Sequence, residues 1–217
     1  MELTDAVAVL AEFLDAGTLT ETIAGLEGRL EGLSGPQAEK AGTEAGFTGE
    51  LLAVALTVSA AFGRINDVIH AAAIVQALPQ ILEPGERIAN RPSLAAGNDP
   101  SRPFDLQTTA RAAEFKLSRW KGADAMRQRQ TFKDLVLLAA DFDIAKADLY
   151  VVGPEPKRFL HTSRSTAGWA LSRTPSVAAR FAERFGPLTM AIADFTADHA
   201  AHVNIVDLRE ILPSLNS

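Results

Sequence analysis

Asp105, Glu114 and Lys116 are the residues of this chain whose types and spacing best suit catalytic chemistry. They fall in the stretch Arg102-Pro103-Phe104-Asp105-Leu106-Gln107-Thr108-Thr109-Ala110-Arg111-Ala112-Ala113-Glu114-Phe115-Lys116-Leu117. Phe104 and Leu106 alternate with Asp105 and Gln107, and Phe115 and Leu117 alternate with Glu114 and Lys116. A period of two on both arms predicts a β-hairpin. A turn between Thr109 and Ala110 sets Asp105 directly opposite Glu114, because both are equally far from that midpoint. Cross-strand neighbours of this kind lie roughly 5 Å apart at Cβ. Two carboxylates at that range repel unless a cation lies between them, and Lys116, one pleat along on the same face, adds a positive head beside the pair. A metal-dependent phosphodiesterase needs this arrangement, although an exposed antiparallel face with solvated charges has the same spacing.

The composition bounds what surrounds this stretch. The chain's 217 residues suit one domain with appendages or two small ones, and 47% hydrophobic with 22% charged residues is ordinary for a globular protein. There is no cysteine, which excludes disulfides and thiolate metal sites and fits a reducing compartment. The N-terminus is acidic where a signal peptide would be basic, and no uninterrupted apolar run reaches about 18 residues. These features predict a cytoplasmic protein that does not span a membrane. Net charge is −6, but it is unevenly placed. Residues 1–86 carry 3 Lys and Arg against 13 Asp and Glu, residues 87–173 carry 15 against 9, and residues 174–217 carry 3 against 5. The candidate hairpin thus sits in the only basic segment. A local positive field attracts a phosphate backbone, while charges of opposite sign in the other segments could instead neutralise it within the fold.

The elements that must position the hairpin follow from periodicity. Residues 2–15 and 18–33 read as helices, with Leu3, Val7, Leu10 and Leu14, then Ile23, Leu26, Leu30 and Leu33, at helical spacing. The polar run 32–46, broken by Gly35-Pro36, reads as a linker. An acidic helical appendage over residues 1–46 is therefore expected before an α/β domain over 47–217, with packing, homodimerisation or occlusion of the basic segment as its uses. Residues 48–62 and 65–78 read as one kinked helix or two, closed by Pro79. Asn66 and His70, spaced i and i+4, share a face that could look toward the site or pack in the core. Residues 86–94 predict a strand made an edge or bent one by Pro92, and 95–101 a turn in which Gly97-Asn98 could form an anion-binding nest. After the hairpin come a helix over 123–140, a strand over 147–153, a short strand at 157–161, a helix over 169–186 after Thr174-Pro175, and a late helix and closing strand near 195–208. On the 123–140 helix Met126, Phe132, Leu135, Val136 and Ala139 form the apolar stripe, leaving Arg127, Gln128, Gln130, Thr131 and Asp134 on other faces. Trp120, between Arg119 and Lys121, could stack on a base or serve the core. No GxxxxGK[ST] loop, His-Glu-x-x-His helix or Gly-x-Ser-x-Gly elbow occurs, and the histidines show no metal spacing.

Pro103-Phe104-Asp105 followed by Glu114-Phe115-Lys116, on a hairpin and then a helix, resembles the PD-(D/E)xK, or restriction-endonuclease-like, nuclease superfamily over residues 60 to 165. The proline departs from the family pattern by standing two residues before the Asp. The resemblance implies a mixed central sheet flanked by helices, in strand, strand, strand, helix, strand order. It implies Mg²⁺ or Mn²⁺ held by Asp105, Glu114 and the Phe115 carbonyl, with Lys116 orienting or activating the attacking water. It further implies an acidic residue on the preceding helix, for which Glu50 and Asp67 are candidates. Gln128-Arg129-Gln130-Thr131-Phe132 resembles the family's Gln-x-x-x-Tyr with Phe for Tyr, so Arg119, Arg127 and Gln128 are the expected contacts to DNA or RNA, with Arg129 as a further guanidinium for a phosphate. The expected activity is phosphodiester hydrolysis. Its alternative is a non-catalytic nucleic-acid-binding or protein-assembly module on the same fold.

Overall fold

The structure is a computed structural model that describes residues 2–94, 104–120, 122, 124–141 and 145–216. Arg102 and Pro103 of the motif, the expected turn at 95–101 with Gly97-Asn98, and Lys121 lie outside the described residues. The chain forms two compact units, Met1–Ile65 and Asn66–Ser217.

The first unit is helical: α1 (Leu3–Asp15), α2 (Leu19–Leu30), α3 (Gly35–Glu44) and α4 (Gly49–Phe62). Phe13 packs edge-on against Phe47, ring centroids 5.4 Å apart. The run expected to be a linker is largely α3. Its Gly35-Pro36 pair is a helix start and not a break, because proline lacks only an N–H that the first turn leaves unpaired. Gln37 supports that start by accepting hydrogen bonds from both the N–H and the hydroxyl of Ser34. In α4 the Thr48 hydroxyl caps the helix by accepting from the Leu51 N–H.

The second unit opens with α5 (Ile65–Ile81), which contains Pro79 in its last turns where the sequence suggested a stop. By length and composition the segment Gly49–Ile81 is apolar enough to cross a membrane. Within α5, Ala73, Ile74, Ala77 and Ile81 pack against the sheet. That sheet is mixed and four-stranded, in the order β1 (Leu106–Gln107), β2 (Arg111–Lys116), β3 (Lys146–Val151), β4 (Val203–Asp207). The β1–β2 pair is antiparallel, while β2, β3 and β4 run parallel. The chain is thus α/β, with a mixed sheet flanked by helices. Between β2 and β3 runs α6 (Ala125–Ala139), and between β3 and β4 come α7 (Pro154–Thr162), α8 (Ala167–Leu171), α9 (Pro175–Arg184) and α10 (Ile192–Asp198).

Each sheet face has its own core. On one, Ala112, Leu149 and Val151 meet Phe132, Leu135 and the clustered rings of Phe181 and Phe195. On the other, Ala113, Phe115 and Tyr150 meet α5 and Leu208, with Phe115 stacked on Tyr150 at 4.7 Å. Burial on both faces is the reason β3 reads as a nearly continuous apolar run.

Several expectations change here. Residues 86–94 form an extended edge that pairs with the β1 region only through the Ile88–Thr108 bridge and neighbouring bonds such as Ser93 N–H to Asp105 O. Pro92 removes a donor that a regular strand would need. Phe104 and Leu106 were expected on one face, but Phe104 joins the α6-side core and Leu106 the α5-side core, because β1 is too short to keep the pleat through Phe104. The short strand at 157–161 is instead part of α7, started by Pro154. The 169–186 helix is two helices, α8 and α9, with the break at Thr174-Pro175, where the residue before proline leaves helical geometry.

At the amino ends of the parallel strands a buried ion network joins three segments. Arg111 donates from Nε and Nη2 to both oxygens of Glu86, at 2.7 and 3.0 Å, and from Nη1 to Asp148 Oδ2 at 2.6 Å. Thr108 donates to Glu86, and Asn204 to Asp148, which completes the set. The Arg111 guanidinium is the first cause holding the Glu86 carboxyl down to about 2 from its ordinary 4.5. Removing one partner strands the others as buried charges, so Arg111→Met is expected to cost about 3–5 kcal/mol in urea unfolding. A depressed carboxylate contributes stability above 4.5 and loses it as pH falls through about 2. Glu86→Gln is therefore expected to lower the unfolding midpoint at neutral pH and to narrow its gap from wild type as pH drops across that window.

Candidate active site

At the carboxyl end of β2 the chain gathers Asp105, Glu114, Lys116, Asp134 and His70. The observed register pairs Leu106 with Ala113 and Gln107 with Ala112, as the hairpin symmetry requires, and stops one residue short of Asp105. Alternation along β2 turns Ala113 and Phe115 to the α5 side and leaves Ala112, Glu114 and Lys116 toward α6. The Lys116 Nζ lies 3.1 Å from Glu114 Oε2 and 2.7 Å from Asp134 Oδ2. Asp134 is 2% exposed, and its other oxygen meets Lys133 Nζ at 3.1 Å. Gln130, one turn earlier on α6, donates to Asp134 at 3.4 Å.

Asp105 stands at the rim of the group. Its Oδ2 accepts the Phe115 N–H at 3.0 Å and lies 3.4 Å from His70 Nε2 on α5. The other imidazole nitrogen, Nδ1, is 3.2 Å from the Leu94 carbonyl and must carry the proton to bond it. His70 thereby presents Nε2 to the carboxylate. In an extended strand a residue's N–H and C=O leave along the same edge, so the Phe115 carbonyl points to the edge where Asp105 sits.

The electrostatics separate the two carboxyls. Burial, and then the neighbouring charges of Asp134 and Asp105, push Glu114 up to about 8, against the pull of Lys116. For Asp105 burial acts in the same sense, but bonding to His70, the charge of Lys116 and the Phe115 N–H outweigh it and hold the group below its ordinary value. Burial also opposes a charged Lys116, yet Asp134, Glu114 and Asp105 together raise it. His70 is raised for the same kind of reason: burial opposes its charge, and Asp105 more than compensates. Glu114 is thus held well above the ordinary carboxylate range beside the Lys116–Asp134 pair. The carboxyl oxygens of Asp105 and Glu114 are hard donors, the type that Mg²⁺ and Mn²⁺ take, but the groups that meet them here are nitrogens: the Phe115 N–H, His70 and Lys116. Among the described residues no group of three or more His, Asp or Glu side chains is arranged to hold a metal ion.

The remaining expected site residues are spread out. Arg119 is exposed and donates to the Leu215 carbonyl. Arg127 pairs with Asp124, the N-cap residue of α6, and the Gln128 N–H bonds the Asp124 carbonyl within the first helical turn. On this helix it is Gln130, not Gln128, whose amide reaches the cluster. Arg129 stacks over Trp169 at 4.8 Å from its ring centroid. Trp120 is buried edge-on against Phe159, and so serves the core. Glu50 belongs to the first unit. The sequence reading missed Asp134, Thr131 and Lys133: with Met126 exposed, the buried face of α6 is rotated so that Thr131 and Asp134 lie inside it. The signal for Asp134 was its i+4 spacing from Gln130. A cavity beyond the carboxyl ends of β3 and β4 is lined by Arg119, Trp120, Gly153, Glu155 and Arg209.

The sign of the Glu114 shift sets a pH dependence. A folded-state value raised above 4.5 contributes stability below 4.5 that is lost as pH rises through about 8. Thermal unfolding without divalent cations is expected to show this loss between those limits in wild type, and Glu114→Gln to flatten it. Equal slopes in both proteins would assign the titration to another group.

Compared with family models, curated proteins and solved structures, the chain gives no match.

Proposed function

We propose that the second unit hydrolyses phosphodiester bonds of DNA or RNA, as a metal-dependent nuclease of the PD-(D/E)xK type. The observation that carries this reading is the gathering of Asp105, Glu114 and Lys116 at one strand end, with Lys116 held 2.7 Å from Asp134 and Asp105 within reach of His70. The order of elements supports it. A helix (α5), an extended edge at Ile88, β1, β2, α6 and β3 follow the helix, strand, strand, strand, helix, strand sequence of a restriction-endonuclease-like core. The positive excess of residues 87–173 supplies attraction for a phosphate backbone.

In this reading Asp105, Glu114 and the Phe115 carbonyl would be the groups to hold Mg²⁺ or Mn²⁺, whose chemistry there would be to polarise a phosphoryl oxygen and lower the pKa of water. Lys116 supplies fixed positive charge beside the phosphate, where negative charge grows during hydrolysis. Asp134 and Glu114 keep that ammonium in place. The buried flanks of β2 exclude bulk water and strengthen each of these interactions.

One observation favours a second reading, a nucleic-acid-binding module without catalysis. Lys116 is already bonded to Glu114 and Asp134 within the chain, and burial pushes Glu114 up to about 8, so the cluster is closed on itself. Cleavage assays on single- and double-stranded DNA and RNA with Mg²⁺ or Mn²⁺ separate the two. Asp105→Ala, Glu114→Ala and Lys116→Ala are each expected to reduce cleavage by roughly 10²-fold or more, while salt-sensitive binding persists. Cleavage equal to wild type in all of them would reject the catalytic role, and binding without turnover in wild type would favour the module.

A further inference from the structure

The first unit folds with almost no core of its own. Among its described residues only Ala6, Ala41 and Val54 are buried. Helix α2 buries none, is 12 residues long and carries Gly25 and Gly28 in its interior. A helix of that length with two glycines is marginal in water unless an apolar face is packed. Its apolar side chains are arranged for such packing. Leu19, Ile23, Leu26 and Leu30 follow one another at spacings of 4, 3 and 4, and Leu33 continues the pattern just beyond the helix. Leu3, Val7, Leu10 and Leu14 repeat the same spacing along α1. This is the heptad seam by which one helix takes the side chains of another. Seven of these nine side chains are 37–44% exposed, and Leu10 and Leu26 are half-buried.

We propose that the first unit is a self-association module, in which the α1 and α2 seams are covered by the same seams of a second copy of this chain. The spacing calls for helices as the partner, not for a sheet edge or an extended peptide. The area fits a pair of copies. Seven side chains about two-fifths exposed and two half-buried ones leave on the order of 500 Å² of apolar surface, and an interface of about 800 Å² per partner that is roughly three-fifths apolar needs about that much. The charges allow the pairing as well. Residues 1–65 carry 3 Lys and Arg against 10 Asp and Glu, yet Asp5, Glu12, Asp15, Glu21 and Glu31 fall on the outer positions of the heptads. The positions flanking the α1 seam are Thr4, Ala6, Ala11 and Phe13, all uncharged. Beside the α2 seam the charges are Glu27 and Arg29, and Arg29 is bonded to Glu44 at 2.6 Å. Two copies therefore meet seam to seam with most acids turned outward. The same acidic outer faces disfavour a lipid surface, where amphipathic helices carry Lys and Arg.

The test is the mass of the full chain in solution, by sedimentation equilibrium over a concentration series without nucleic acid. Wild type is expected at twice the chain mass of 23.1 kDa. On dilution it relaxes to one chain with a loss of far-UV helical signal, because α2 has no buried residue to hold it when alone. Ile23→Glu with Leu30→Glu is expected to raise the dissociation constant by roughly 10²-fold or more, and Ile23→Ala with Leu30→Ala by roughly tenfold. Ala24→Glu, on the outer face of the same helix, is expected to leave it unchanged. Both tryptophans, Trp120 and Trp169, belong to the second unit, so their fluorescence during urea unfolding checks that each variant keeps that unit folded. A wild type of single-chain mass at every concentration would overturn the proposal, as would undiminished pairing of the Ile23→Glu, Leu30→Glu variant. A single chain that floats with vesicles of phosphatidylcholine and phosphatidylglycerol would assign the seams to lipid, and overturn it too. The mass does not depend on cleavage, so this result is independent of the nuclease reading.

Discussion

Strand β2 is buried on both faces and yet carries Arg111, Glu114 and Lys116 within six residues. A charge in that position is tolerable only when a partner is built around it, because the low-dielectric interior penalises an unmatched ion by several kcal/mol. The rest of the second unit can be understood as the supply of those partners. At the amino end Arg111 is met by Glu86 from the extended edge and Asp148 from β3. At the carboxyl end Lys116 is met by its own strand neighbour Glu114 and by Asp134 from α6.

The two ends differ in how completely they are closed. Around Arg111 the geometry is bidentate toward Glu86, Asp148 takes a third guanidinium N–H, and hydroxyl and amide donors fill the remaining positions. Such a network pins the edge segment and β1 to the sheet. The Lys116 end is a compromise: two carboxyls share one strand ammonium, one of them is pushed up to about 8, and Asp105 turns to His70 and the Phe115 N–H. Groups forced apart in proton affinity at the end of a strand are a common mark of a site, where a structural ion pair would settle. The parallel strands β2, β3 and β4 all end on this side, the side where open α/β sheets usually bind ligands.

The charged triad was legible because it obeys local geometry. Period-two alternation and hairpin symmetry relate residues 105, 114 and 116 through a few consecutive peptide units, and the observed pairing of Leu106 with Ala113 keeps that relation. The helix over 125–139 and the strands over 146–151 and 203–207 were legible for the same reason, each having a sustained pattern of its own. Asp134 and His70 were not, since neither is close to the hairpin in sequence. On α6 the apolar stripe alone cannot fix the helix rotation when a buried acid has a buried lysine to meet. Electrostatic matching, not hydrophobicity, sets which side of Thr131 and Asp134 faces inward.

The sequence by itself determined an α/β chain with a cysteine-free composition, a strand pair in which Leu106 meets Ala113, and a basic segment around it. These follow from side-chain types and from covalent spacing, which fix distances over a few residues. Only the tertiary structure decided that α5 brings His70 to Asp105, that α6 brings Asp134 to Lys116, and that the polar run at 35–44 is a helix. Those contacts join residues tens of positions apart. Their cause is that a doubly covered sheet leaves each strand charge only the neighbouring layers in which to find its counter-ion.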